Sequence, residues 1–216
     1  MCGNSLRQER SSDQTTGGGS NPTLPLQKTL RVRKLSAREA NRLLERWHYL
    51  GSVRGIVHAW GHEEGCCVFT NCRSRLLESR FKTKGIVPIE LARMVGCPNH
   101  VWAMSSLMKA CVAELKKLGQ YDIIVTYADP FAGHSGAVYR AANWDFDGFT
   151  VKDGHPLIFI DDKLVAPRTL YDCHGTQSIS RLKEIYGSRL QTIAKPPKKR
   201  FVKYLTQKGK TYKGDS

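Results

Sequence analysis

The 216-residue chain is predicted to fold as a single α/β domain, a mixed β-sheet flanked by helices. Stretches with period-two alternation are interleaved with stretches of helical period, in the order β-α-β-β-β-α-β-α-β. The run Tyr121 to Tyr127 is apolar on both faces, as a strand at the centre of a covered sheet must be. A hydrophobic content of 40% is enough for one sizeable core at this length.

Residues 1–27 form an expected disordered tail. From Ser11 to Pro25 they are mainly Ser, Asp, Gln, Thr, Gly, Asn and Pro, a composition that buries too little apolar surface to order itself. The domain proper is expected over residues 28–206, with a basic tail at 207–216. Leu30 to Leu35 alternates as a first strand. Ser36 then caps a helix and Glu39 completes a capping box, with Ala40, Leu43, Leu44 and Trp47 on one face. That helix ends at about Trp47 and leaves His48 and Tyr49 at its exit. Gly55 to Trp60 and Gly65 to Thr70 read as a meander around Gly61-His62-Glu63-Glu64. Ile89 to Val95 is the next strand, and its period of two puts Glu90 and Arg93 on opposite faces. A helix from about Trp102 to Leu118 stops at Gly119; Ser105 and Ser106 near its start serve as caps or face a pocket. The central strand follows, then a short helix from about Ser135 to Ala142. Phe146 to Val151 and His155 to Ile160 are expected to pair as a hairpin through Asp153-Gly154. Ser178 to Leu190 is an amphipathic helix and Phe201 to Leu205 a last strand.

Charge narrows the partner. The 34 Lys and Arg residues outnumber 19 Asp and Glu, for a net +15, and such an excess favours a polyanion through counterion release and steering. The cations cluster twice, as Arg73, Arg75, Arg80, Lys82 and Lys84, and as Lys195, Lys198, Lys199, Arg200, Lys203, Lys208, Lys210 and Lys213. Trp102, Phe131 and Trp144 are candidates to stack on or wedge at a nucleic-acid base. Double-stranded DNA is the expected partner. The seven cysteines lack metal-knuckle spacing, and reduced thiols in a cytoplasmic protein fit them. No apolar run is long enough to span a bilayer, so neither export nor membrane insertion is expected. Oligomeric state is left open.

The chemistry concentrates in Tyr127-Ala128-Asp129-Pro130-Phe131-Ala132-Gly133-His134-Ser135-Gly136-Ala137-Val138-Tyr139. An acid, an imidazole and a phenol surround a glycine-rich turn at the C-terminal end of the central strand, where α/β folds expose reactive groups. Asp129 is either a proton acceptor or the start of an Asp-Pro turn. His48 and Tyr49 either belong to a site or complement the helix terminus and pack on the sheet. Tyr139 is either a hydroxyl donor or a packed aromatic. His134 sits between glycines, where backbone approaches a ligand closely. Arg93 is suited to clamping a carboxylate or phosphate.

The element order, with a short helix ending Ala141-Ala142-Asn143-Trp144, resembles the GCN5-related N-acetyltransferase (GNAT) superfamily over about residues 28–160. That resemblance implies a donor site between two splayed central strands. The superfamily's pyrophosphate loop has no counterpart in Gly96-Cys97-Pro98-Asn99-His100-Val101-Trp102-Ala103-Met104-Ser105, which argues against acetyl-CoA as the donor. The segments Trp47-His48-Tyr49-Leu50, Glu90-Leu91-Ala92-Arg93, Ser105-Ser106-Leu107, Tyr127-Ala128-Asp129, Gly133 to Trp144 and Pro197-Lys198-Lys199-Arg200-Phe201 look like the Mom-type DNA-modification proteins of phages. This similarity implies an enzyme that converts adenine in duplex DNA to an N6-carbamoylmethyl derivative and so protects the DNA from host restriction. It implies His48, Tyr49, Asp129 and Tyr139 as catalytic groups, with the same four around iron. Arg93, Ser105, Ser106, His134 and Asn143 are the expected substrate- or donor-binding residues. Two other functions stay open: an acyl-CoA-dependent N-acetyltransferase acting on a small amine or a protein lysine, and a non-catalytic DNA-binding protein on the same scaffold.

Overall fold

The computed structural model describes residues 30–150, 156–165 and 167–212; the expected N-terminal tail and the Asp153-Gly154 turn lie outside them. Ten strands and seven helices are present among these residues. Seven strands make one sheet, in the order β1 (Arg33–Lys34), β2 (Ile56–His62), β3 (Gly65–Thr70), β4 (Pro88–Gly96), β5 (Ile123–Ala128), β10 (Lys199–Tyr204) and β6 (Asp145–Phe149). Every neighbouring pair runs antiparallel except β4 and β5, which are parallel.

The helices cover both faces because the strands are apolar on both. Adjacent Cys66 and Cys67 on β3 point to opposite sides. Cys66 and Val68 meet Ala40 and Leu44 of α1 (Ala37–Trp47), while Cys67 and Phe69 meet Leu107, Met108 and Cys111 of α3 (Met104–Lys117). Along β5 the same alternation sends Ile124 and Ala128 toward α3. Ile123 and Val125 go toward Leu77 and Phe81 of α2 (Arg75–Thr83). α1 starts as its capping box requires: Ser36 Oγ accepts from Glu39 N at 3.2 Å, and Glu39 Oε2 accepts from Ser36 N at 2.8 Å.

Three expectations need correction. α2 was not anticipated; its arginines hid a helix whose buried face is only Leu77 and Phe81. β6 does not pair with the strand that follows it. Its partner is β10, with Val202 opposite Asp145 and Phe201 opposite Phe146. The next strand, β7 (Leu157–Ile160), instead sits between β8 (Lys163–Val165) and β9 (Leu190–Ile193) in a separate three-stranded sheet. This sheet packs Ile158 and Leu190 on Leu170 of α5 (Pro167–His174) and Leu182 of α6 (Ile179–Tyr186). Finally, residues 207–211 are not a tail. They form α7 (Gln207–Thr211), and Tyr212 beyond it is 1% exposed, packed with Phe81 at a ring distance of 4.8 Å.

No helix among the described residues is long and apolar enough to cross a membrane. Because Tyr212 fills the core between α2 and the sheet, Tyr212→Ala is expected to cost about 3–5 kcal/mol, the scale of large-to-small core changes. A denaturant melt checks this; unchanged stability would return residues 207–212 to the status of a tail.

Candidate active site

The β4–β5 ladder is short. Pro88 pairs with Ile123, Ile89 with Ile124 and Glu90 with Val125, and there the pairing ends. One further link, from the Thr126 hydroxyl to Leu91 O at 3.0 Å, closes the base of the gap. Beyond it the two strands diverge. β4 carries a bulge at this point: Phe69 pairs with Leu91 and Val68 with Arg93, so Ala92 is the extra residue. The bulge advances the side-chain phase by one. Glu90 and Arg93, expected on opposite faces, consequently line the same cleft.

That cleft, of about 530 Å³, collects His48, Tyr49, Arg93, Asp129, His134 and Tyr139 among its lining residues. His48 and Tyr49 arrive from the C-terminal end of α1, where His48 N donates to Leu44 O at 2.8 Å. Asp129 and His134 arrive from the turn after β5, and Tyr139 from α4 (Ala137–Ala141). Gly136, at φ 85°, is required on this path, because a Cβ there would lie 2.4 Å from Phe201 Cζ.

His48 Nδ1 accepts a hydrogen bond from Leu50 N at 3.1 Å, which places the proton of a neutral ring on Nε2. Burial first, then the nearby Arg93 and His134 charges, lower its pKa from 6.5 to about 4. Its ring stacks on Tyr49 at 4.8 Å, and Tyr49 lies 5.5 Å from the His134 ring. Burial and the Asp129 charge push the Tyr49 phenol upward. Tyr139 is raised chiefly by burial. Its hydroxyl is 3.3 Å from that of Thr126. Thr126 has one proton for Leu91 O and the Tyr139 oxygen; given to the nearer Leu91 O, it leaves Thr126 Oγ1 to accept from Tyr139. The Tyr139 ring also packs on Phe201 and Trp144, at 5.2 and 5.7 Å, so it serves the core and the cleft together.

Asp129 takes the turn-starting role anticipated for it. Its Oδ1 accepts from Phe131 N at 3.1 Å, starting a one-turn 3-10 helix at Pro130–Ala132. Its Oδ2 pairs with Lys198 Nζ at 2.7 Å. Arg93 donates one guanidinium N–H to Ala92 O at 2.7 Å, while its buried Nε has no partner among the described residues. Burial and the neighbouring Arg73 cation both disfavour its charge. An anionic or carbonyl oxygen in the cleft would satisfy both deficits.

Three expected binding residues fall outside the cleft lining. Asn143 occupies a left-handed turn at φ 59°, and its carbonyl accepts from Lys203 Nζ at 2.8 Å, a backbone duty for which asparagine is suited. Ser105 and Ser106 lie in the first turn of α3, which reaches the cleft through Met104. Neither is the cap; Ala103 is, and it makes no side-chain hydrogen bond. A helix N-terminus without a capping side chain, beside the cleft, is what a pyrophosphate needs, so the missing glycine-rich loop does not count against a CoA-type donor. Of the three aromatics, Trp144 is core at 4% exposure, and Trp102 is stacked on His100 at 4.1 Å and bonded to Glu64 at 3.0 Å. Phe131 alone stands open to solvent. Lys198, Arg73 and Thr126 were not singled out as site residues. Thr126 had a visible signal, a lone hydroxyl inside an apolar strand; Lys198 and Arg73 were visible only as members of charge clusters.

The donor set does not fit iron. Among the described residues no three His, Cys, Asp or Glu side chains converge as metal ligands. Of the expected four, Asp129 is already engaged by an ammonium and an amide, and the Tyr139 hydroxyl lies against that of Thr126.

Solved structures similar to this chain include acetyltransferases. A Bacillus subtilis acetyltransferase in complex with CoA is 15% identical, with 82% of this chain and 99% of that one covered and a TM-score of 0.42. The spermidine N-acetyltransferase SpeG of Vibrio cholerae is 9% identical over 83% and 96%, with a TM-score of 0.47. A GNAT-family acetyltransferase of Bacillus anthracis is 11% identical over 82% and 96%, with a TM-score of 0.43. No curated protein sequence matches significantly. The sequence model of the Mom protein family, however, matches residues 29–214. With every described residue inside that match, and His48, Tyr49, Asp129 and Tyr139 lining one cleft, the chain belongs to the Mom protein family.

Proposed function

We propose that this protein is a transferase that modifies the exocyclic amine of adenine in phage DNA, forming an N6-carbamoylmethyl-type derivative that hinders host restriction. The observation that carries this proposal is the cleft itself: a gap in the sheet holding a neutral imidazole and a protonated phenol, with Arg73, Arg93 and Lys198 in its walls. Membership of the Mom family and the +15 charge support a DNA acceptor.

The adenine amine is a poor nucleophile because its lone pair is delocalised into the ring. Bond formation from that nitrogen to the donor carbon must be coupled to loss of one amine proton, while the donor's leaving group gains one. Tyr139, kept protonated by burial, supplies the second proton. Asp129 receives the first when Lys198 moves from its carboxylate to a DNA phosphate. His48 donates from Nε2 to an oxygen of the incoming group, and Arg93 clamps an anionic or carbonyl oxygen of the donor. A second function, acyl-CoA-dependent N-acylation of a small amine, is favoured by one observation, the α3 N-terminus at the cleft with no capping side chain.

Mass analysis of nucleosides from DNA co-expressed with the protein is expected to show a modified deoxyadenosine that disappears with Asp129→Ala. Unmodified adenine with the wild type, together with tight acetyl-CoA binding by calorimetry, would favour the second function instead. Tyr139→Phe keeps the packed ring and loses the proton, and is expected to lower modification by about 10²-fold with unchanged thermal melting. His48 is expected to titrate near 4 in an NMR pH series, where a midpoint at its ordinary 6.5 would contradict the buried neutral ring. Because its folded pKa is depressed, the stability it contributes is complete above 6.5 and is lost as pH falls from 6.5 through about 4.

A further inference from the structure

Beside the active cleft lies a second one, of about 710 Å³, on the α2 face of the sheet. The two share Arg73, Glu90, Tyr127 and Lys198 in their linings, so they are continuous. The second cleft brings Arg73, Arg80, Lys195, Lys198 and Arg200 together against a single carboxylate, Glu90. Glu90 is 7% exposed, and its Oε2 accepts from Arg73 N at 3.0 Å. Some of the cations are internally committed: Arg200 to Asp147 at 2.5 Å, and Arg80 over the Tyr212 ring at 5.0 Å. Arg73 and Arg75 form no ion pair among the described residues. A strip of this kind tracks phosphodiesters.

In this strip stands Leu76, 83% exposed and part of the cleft wall. Scattered exposed leucines are ordinary; the surroundings of this one are not. α2 already buries Leu77 and Phe81, so Leu76 is not needed for packing. It is flanked by Arg73 and Arg75 before it and Arg80 one turn after it. An apolar side chain raised among arginines is an arrangement with which proteins wedge into a base stack. The active cleft also demands such a device, because the adenine amine of a stacked base cannot reach Tyr139 or Asp129 without leaving the helix.

We propose that Leu76 is the wedge that enters the duplex as the target adenine swings into the active cleft, while Arg73 and Lys198 hold the flanking phosphates. This proposal rests on the DNA-adenine function above. The thymine left behind is unpaired and becomes open to permanganate, which reads base eversion without a donor and without a known sequence context. With full-length wild-type protein on plasmid DNA, permanganate-reactive thymines are expected above the free-DNA background. Leu76→Ala is expected to abolish them while its duplex affinity in a band-shift assay falls no more than about threefold. Leu76→Phe is expected to keep them. Arg73→Ala is expected to weaken binding and to lower its salt dependence by about one phosphate contact. Reactive thymines that persist with Leu76→Ala would overturn the wedge and leave the DNA function standing. A wild-type protein that binds no duplex would contradict the DNA function, and the wedge with it.

Discussion

Everything at this site depends on the β4–β5 ladder ending after Glu90 and Val125. Parallel neighbours in the middle of a sheet normally continue to pair, because each unpaired amide or carbonyl buried between them is costly. Here the loss is limited by two local substitutions. The Thr126 hydroxyl takes over Leu91 O, and the bulge at Ala92 turns β4 so that Arg93 bonds its neighbour's carbonyl. The result is a gap through the sheet. Tyr139 and Met104 come to it from the α3 and α4 side, and His48, Tyr49 and Arg73 from the α1 and α2 side. Two reactants can therefore approach from opposite faces and meet at the divergence.

The electrostatics of the gap follow from its depth. Burial keeps the phenols protonated and the His48 imidazole neutral, so the groups most able to hold or give a proton are in the form that does so at neutral pH. The walls carry three cations, Arg73, Arg93 and Lys198, against two carboxylates, Glu90 and Asp129, and the second of these is covered by Lys198. That ion pair couples the two clefts, since Lys198 belongs to both linings. Under the proposed function, a polyanion in the second cleft would compete for the same ammonium and free the Asp129 carboxylate.

Much of the site could be read from the chain, for reasons tied to particular residues. The capping box at Ser36 and Glu39 marked the start of α1, and its apolar stripe running to Trp47 left His48 and Tyr49 at the exit. The doubly apolar run before Asp129 marked the central strand, and its C-terminal turn carried the chemistry. The failures were of another kind. Nothing local marks a bulge, so Glu90 and Arg93 were put on opposite faces by a period that Ala92 interrupts. A strong Asp153-Gly154 turn signal suggested a hairpin, yet β6 finds its partner in β10, beyond a separate sheet inserted between them. Lys-rich composition made residues 207–212 look like a tail, when one aromatic, Tyr212, is enough to anchor them.

The central claim is that the base undergoing reaction sits in the divergence between β4 and β5. A duplex carrying a photoreactive azidoadenine, irradiated in complex with the protein and mapped by peptide mass spectrometry, tests it most directly. Crosslinks are predicted in the segments around His48–Leu50 and Asp129–Tyr139, which line that cleft. Crosslinks confined to the three-stranded sheet of β7, β8 and β9, or to α7, would place the base elsewhere and contradict the account.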